Sequence, residues 1–383
     1  MADLDLHENS KGKQTVKDML AKKNDFDIFM HVGDFAYNIQ DSNGKLGDQF
    51  FDTISPVISS KPYIITAGNH ELLDQTRFFN YRFRMPGGND GLNNSFSGHD
   101  STQQVRNNFY SFDLNGAHWT GINMDWYISV YQNPETRLAV LEWIDNDLRK
   151  AFSSKSKYKI VFTHRPIVCG ESDHNDCNGL QFYNKPLEDL FMKYKVDLVL
   201  QAHIHDYSRL YKIYDYKILG FSNVNDGIYY NGPVYVVSGH SGTGHEYLFK
   251  NSDIESVRMN EAYLTGYNPN HMELTIGDEK ISGRLYDPVS DAVVDSFVIY
   301  PQDGDDPFDF WKGGQWWIFS GAGVLVIVNI LTVGFILVRR RKKAMIEMKE
   351  KLIMGGNEKN GCGYTFDKKL NQTNLDRMYK NEA

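Results

Sequence analysis

The sequence predicts an α/β fold, and two patterns and the composition carry that expectation. Short apolar runs rich in β-branched and aromatic residues end abruptly in polar residues: Phe26 to Val32, Tyr63 to Thr66, Tyr158 to Thr163, Val196 to Leu200 and Val234 to Val237. Amphipathic helical stretches such as Arg137 to Lys150 and Pro186 to Lys193 lie between them, and strands alternating with helices build a helix-covered sheet. Of 383 residues, 41% are apolar, 23% charged and 14% aromatic, a mix that excludes disordered, collagen-like and coiled-coil chains. After Asn270 the pattern changes. HMELTIGDEKISGRLYD reads as a hairpin turning at Gly277-Asp278, and Val293 to Ile299 follows as another strand.

Charge divides the chain. A formal net charge of −8 argues against a nucleic-acid surface over the whole molecule. From Arg339 to Ala383 twelve Lys/Arg face six Asp/Glu, a net of +6, which leaves −14 for the residues before them. Between these blocks, Trp316 to Val338 runs 23 residues without a formal charge, long enough to cross a hydrocarbon core of roughly 30 Å as one transmembrane helix. Trp316 and Trp317 mark one edge and Arg339 to Lys343 the other. By the positive-inside rule the tail, residues 339–383, is cytosolic, and the residues before the span face the lumen or the outside. Pro301 to Gln315 reads as the linker into the membrane.

An exported domain needs a signal, and MADLDLHENSKGKQ is polar throughout, so the expectation is that one lies upstream of Met1. Cys169 and Cys177, eight apart in a Gly/Asp/Asn-rich loop, are compatible with a local disulfide, and Cys362 in the tail with a reduced thiol. Asn93-Asn94-Ser95 is a glycosylation acceptor on the exported side.

The chemistry lies where the strands stop. The first run ends in Gly33-Asp34-Phe35-Ala36-Tyr37, the second in Gly68-Asn69-His70-Glu71, the third in His164-Arg165-Pro166 and the fourth in His203-Ile204-His205. In open α/β sheets ligands collect outside the carboxyl ends of the strands. Asp, Tyr, Asn and four His therefore reach one rim. Carboxylate and phenolate oxygens suit a hard trivalent ion, while imidazole and an amide oxygen suit divalent Zn, Mn or Fe. One carboxylate can bridge two ions.

On these motifs the chain resembles the purple acid phosphatases, the Tyr-containing branch of the calcineurin-like metallophosphoesterases. The likeness continues through Val161-Phe162-Thr163-His164, Ala202-His203-Ile204-His205, Asp206-Tyr207-Ser208-Arg209 and Gly232 to Gly239, and it covers residues 1–300. It implies a four-layer α/β/β/α sandwich and hydrolysis of phosphate monoesters by hydroxide generated at a dinuclear centre of Fe(III) and a divalent Zn, Mn or Fe(II). Carried over by position, Asp34 is the bridging carboxylate. Asp3, Tyr37 and His205 hold the ferric ion, and Asn69, His164 and His203 the divalent one. His70 contacts phosphate or assists the leaving group, and His174 resembles a position that donates a proton.

Two departures stand out. In Ala2-Asp3-Leu4-Asp5 an aspartate replaces the family's glycine, so Asp5 is expected to strain the turn or compete with Asp3 for metal. Ala202 replaces glycine before His203, one methyl more. Asp3 also follows only two residues, where the resemblance expects a buried first strand, and an upstream region is expected to supply it. The alternatives to a monoesterase are a diesterase or nucleotide-cleaving ectoenzyme on the same fold, and an inactive membrane receptor or adhesion module. His31 reads as a core histidine, His240 and His245 as loop or rim residues, and His118 and His271 carry no signal.

Overall fold

A computed structural model describes residues 1–8, 10–73, 76–86, 107–130, 133–170, 181–215, 217–220, 232–243, 260–264 and 268–302. The chain divides into two compact units, Met1–Gly313 and Gly314–Ala383, and every described residue belongs to the first. Among the described residues no helix is long and apolar enough to cross a membrane. Trp316 to Val338, most of the linker, the tail, Asn93, His174, Cys177 and His245 lie outside them.

The strands are β1 (Phe29–Val32), β2 (Tyr63–Thr66), β3 (Phe109–Leu114), β4 (Ala117–Ile122), β5 (Tyr158–Phe162), β6 (Leu198–Gln201) and β7 (Tyr207–Leu210). A small pair follows, β8 (Lys212–Tyr214) and β9 (Lys217–Gly220), then β10 (Val234–Ser238) and β11 (Asn260–Leu264). The last three are β12 (His271–Ile276), β13 (Ile281–Asp287) and β14 (Ala292–Ile299). A seven-stranded sheet has the order β11-β7-β10-β6-β5-β4-β3. Its centre, β4-β5-β6-β10, is parallel, and antiparallel strands close both edges. Parallel strands covered on both faces read as unbroken apolar runs. Every residue of β5 and β6 is accordingly buried.

The helices are α1 (Gly12–Ala21), α2 (Lys45–Ile58), α3 (Asn69–Leu72), α4 (Arg77–Arg82), α5 (Met124–Val130), α6 (Pro134–Ser153) and α7 (Gln181–Lys193). Helix α6 starts before the expected Arg137 because Asn133 caps it, its side chain accepting from the N–H groups of Glu135 and Thr136, with Pro134 beside it at the first turn. On one face of the large sheet Val140, Ile144 and Leu148 of α6 and Leu187 and Phe191 of α7 pack against Val161, Val199 and Tyr235. On the other, Ile160, Phe162, Leu198 and Val236 meet Ile281, Leu285 and Phe297 of the antiparallel β12-β13-β14 sheet.

Strands β1 and β2 pair in parallel and alternate their faces. Met30 and Ile64 turn toward the large sheet's core, while Phe29 and Ile65 turn toward Val16 and Met19 of α1 and Phe50 and Ile54 of α2. Helices thus form both outer layers and sheets both inner ones. The hairpin expected at Gly277-Asp278 is the β12–β13 connection. The chain start runs parallel to β1: Met1 N–H donates to Met30 O, Val32 N–H to Met1 O, and Leu4 bridges Phe35.

Candidate metal centre

The carboxyl ends of β1, β2, β5 and β6 share one rim, and the backbone there is bent to turn side chains inward. Asp3, Asp34, Tyr37 and His203 have φ of 54°, 53°, 40° and 72°, left-handed values that side-chain-bearing residues adopt at a cost of order 1–3 kcal/mol each and that cluster at functional sites. Two glycines admit the close approach. A Cβ on Gly33, at φ +86°, would meet the His164 ring at 2.3 Å, and one on Gly68 would meet Asp34 Oδ1 at 2.2 Å.

Two groups of side chains result. In the first, the Tyr37 hydroxyl donates to Asp3 Oδ1 at 3.1 Å and lies 2.8 Å from His205 Nε2, which is itself 3.5 Å from Asp3 Oδ1. In the second, Asn69 Oδ1 lies 3.1 Å from His164 Nε2 and 2.9 Å from His203 Nδ1. Asp34 Oδ1 is 3.4 Å from His164 Nε2, and Asp34, His164 and His203 each offer a ligand atom, all within 4.8 Å of one another. Asp3, Asp34, Asn69, His164 and His203 are buried. Tyr37, His70 and His205 are half-buried.

His164 shows what the arrangement asks for. Its Nδ1 faces the Val32 carbonyl at 2.8 Å, an acceptor only, so Nδ1 carries a proton and the neutral ring aims the Nε2 lone pair into the site. There it meets the oxygens of Asn69 and Asp34, which are lone pairs too. Only a proton or another cation reconciles them. With side chains alone the proton enters: burial works against charge on His164, but Asp34 and Asp3 outweigh it and push its pKa up to about 10. For Asp34, burial opposes ionisation, yet His164 and His70 hold its carboxyl far below the usual range. Burial, then Asp3, push the Tyr37 phenol well above its ordinary value, so a phenolate there requires a strong positive charge close by. Two hard oxygens with one imidazole in the first group, and two imidazoles with an amide oxygen in the second, fit two metal ions of different hardness.

The structure also identifies residues that sequence reasoning missed. Buried Glu71 accepts from the N–H groups of Asp34, Phe35 and Gly68, all at 2.9 Å, and so ties the two ligand loops together. The signal was its place three residues after Gly68 at the start of α3, where a Glu reaches back to the cap N–H. Asn38 meets His70 Nδ1 at 2.6 Å. Asp5 corrects an expectation. Its carboxylate turns to His7, accepting from the His7 N–H at 2.9 Å and pairing with Nδ1. The left-handed backbone falls at Asp3 instead, and Asp5 does not compete for the centre. His31 is a core residue, its Nδ1 2.7 Å from the Tyr63 hydroxyl. His240, expected in a loop or at the rim, is buried after β10.

The chain is similar to known proteins in sequence and fold. The calcineurin-like phosphoesterase family profile matches residues 5–207. Acid phosphatase type 7 of Homo sapiens is 36% identical over 229 residues, covering 57% of this chain and 48% of the relative. The Mus musculus protein of the same name is 33% identical over 282 residues, covering 69% and 60%. The chain thus spans between about half and three-fifths of the length of these relatives. Among solved structures, purple acid phosphatase PPD1 of yellow lupin superposes with a TM-score of 0.55 at 22% identity, over 78% of this chain and 52% of that one, which speaks for the fold. With the strand-end motifs, the layered sheets and the profile match in agreement, this chain belongs to the calcineurin-like phosphoesterase family.

Proposed function

We propose that this chain hydrolyses phosphate monoesters at a two-metal centre, Fe(III) with a divalent Zn, Mn or Fe(II). The observation that carries the reading is the convergence of Asp3, Tyr37 and His205 in one group and Asn69, His164 and His203 in the other, with Asp34 against His164. The first group would hold the ferric ion, the second the divalent ion, and Asp34 would bridge. Bound there, the metal pair supplies positive charge for a phosphate dianion and lowers the pKa of water.

The chain's own residues do the rest. Glu71 keeps the Asp34 and Asn69 loops in register through three backbone hydrogen bonds. His70, half-buried with Nε2 3.7 Å from Asp34 Oδ2, gives the Nε2 proton of its imidazolium to the leaving oxygen, a step contributing about 10²–10⁴-fold. His174 is a second candidate donor. The monoester reading, rather than a diester one, draws on relatives named acid phosphatases. The inactive-module reading loses its main support, since Asp5 faces His7. Membrane anchoring through residues 316–338, with the phosphatase unit lumenal or extracellular and residues 339–383 cytosolic, is proposed from hydropathy and charge alone.

The test is hydrolysis of p-nitrophenyl phosphate by the purified chain loaded with iron and zinc. Turnover that Asp34→Asn abolishes supports the reading. No turnover by the loaded parent chain overturns it.

A further inference from the structure

We infer that Asn38, steered by Asp41, is a positioning residue that fixes the His70 ring with Nε2 toward the substrate. The inference rests on the phosphatase reading only for its kinetic consequence. Its geometry stands on hydrogen-bond chemistry.

A carboxylate accepts and cannot donate, so the Asn38 group 3.3 Å from Asp41 Oδ2 is the Nδ2 amide. That orientation leaves Asn38 Oδ1 facing His70 Nδ1 at 2.6 Å. An amide oxygen only accepts, so His70 Nδ1 carries the proton and donates it to Asn38. Nε2 is left as the working atom, on the side of Asp34 Oδ2 at 3.7 Å.

The His70 backbone N–H donates to Asp34 Oδ1 at 3.1 Å and fixes the main chain, and Tyr37 meets the imidazole edge-on with centroids 4.5 Å apart. Asn38 itself is held by its turn: Ala36 and Tyr37 before it have φ of 60° and 40°, and the Asp41 N–H donates to Asn38 O at 3.1 Å. The chain Asp41–Asn38–His70 thus sets which nitrogen faces the leaving oxygen. The Nδ1 proton stays in its hydrogen bond to Asn38, while the imidazolium passes its Nε2 proton to the leaving oxygen and returns to the neutral ring protonated at Nδ1.

The experiment pairs a spectroscopic readout with a leaving-group comparison, on the parent chain and on Asn38→Ala, Asn38→Asp and Asp41→Asn. Nitrogen NMR should show the neutral His70 ring protonated at Nδ1 in the parent and lose that preference in Asn38→Ala. With an alkyl phosphate, whose leaving oxygen needs a proton, kcat should fall about tenfold in Asn38→Ala, while p-nitrophenyl phosphate changes within about twofold. Asn38→Asp, which keeps an acceptor oxygen, should restore the alkyl rate, and Asp41→Asn should fall between. An unchanged tautomer in Asn38→Ala, or an equal loss on both esters, overturns the inference. A tautomer shift in a parent that hydrolyses neither ester upholds the positioning and defeats the phosphatase reading.

Discussion

At His118, in β4, both ring nitrogens face carboxylates, Asp113 Oδ1 at 2.8 Å and Asp147 Oδ2 at 3.0 Å. Asp147 also accepts from the hydroxyls of Ser111 and Thr120. At His164, just past the end of β5, one nitrogen donates to a carbonyl and the other faces only oxygens. Both histidines are buried beside a buried carboxylate in the same unit, Asp147 for His118 and Asp34 for His164, while Asp113 is exposed. One proton reconciles the first cluster, making His118 an imidazolium that donates from each nitrogen to one carboxylate on regular strand and helix backbone. The second crowds the oxygens of Asn69 and Asp34 onto one nitrogen of His164, with left-handed backbone at Asp3, Asp34 and His203. What separates a structural from a chemical histidine here is how many oxygens share one ring nitrogen and the backbone that carries them, not burial or the presence of a carboxylate.

Removing a residue from each cluster should therefore break different properties. Asp34→Asn or His203→Ala should lower phosphate-ester hydrolysis by about 10³-fold or more, the several kcal/mol a metal supplies to the transition state. His118→Asn should leave the rate within about twofold, since its partners lie in the structural cluster. Steady-state kinetics of the three variants tests the division, and a comparable loss in His118→Asn would erase it.

Glu71→Gln sharpens the contrast from the loop side. A neutral amide cannot accept from all three N–H groups as a carboxylate does, so metal affinity should fall about 10–100-fold. Titration with zinc reads it, and unchanged affinity would make Glu71 a bystander. His118→Asn, in turn, should lower unfolding free energy by about 2 kcal/mol through the carboxylate left without its partner. Denaturant unfolding should register that loss, which Asp34→Asn need not share.

The smallest effect is in pH. Burial opposes charge on His118, but Asp147 and Asp113 outweigh it and raise its pKa above the ordinary imidazole value of 6.5. Stability from that pair is fully present below the unfolded value and is lost as pH rises through the folded one. The melting-temperature gap between parent and His118→Asn should be widest below about pH 6.5 and narrow above it. A gap that widens with pH would reverse the assignment of charge.

The legible part of the site was its punctuation. Asp34, Asn69, His164, His203 and His205 sit where apolar runs stop, and the β1-β2 pair and the seven-stranded sheet bring those stops to one rim. What escaped was whatever depends on contacts distant in sequence. Glu71 acts on backbone 36 and 37 residues away, Asn38 on a ring 32 residues on, and His118 pairs with an aspartate 29 residues on, in α6. Asp5 misled because a local turn to His7, two residues on, decides where its carboxylate points. Strand β1 starts at Phe29 rather than Phe26, since apolarity alone does not say where pairing with the strand at Tyr63 begins.

The central claim is that this rim grips a pair of cations. Metal content and visible absorption of the purified chain, loaded with iron and zinc and then desalted, test it most directly. The account predicts one iron and one zinc retained per chain, a broad visible band from the Tyr37 phenolate, and loss of zinc in His203→Ala. A folded chain that stays colourless and metal-free after loading would contradict it.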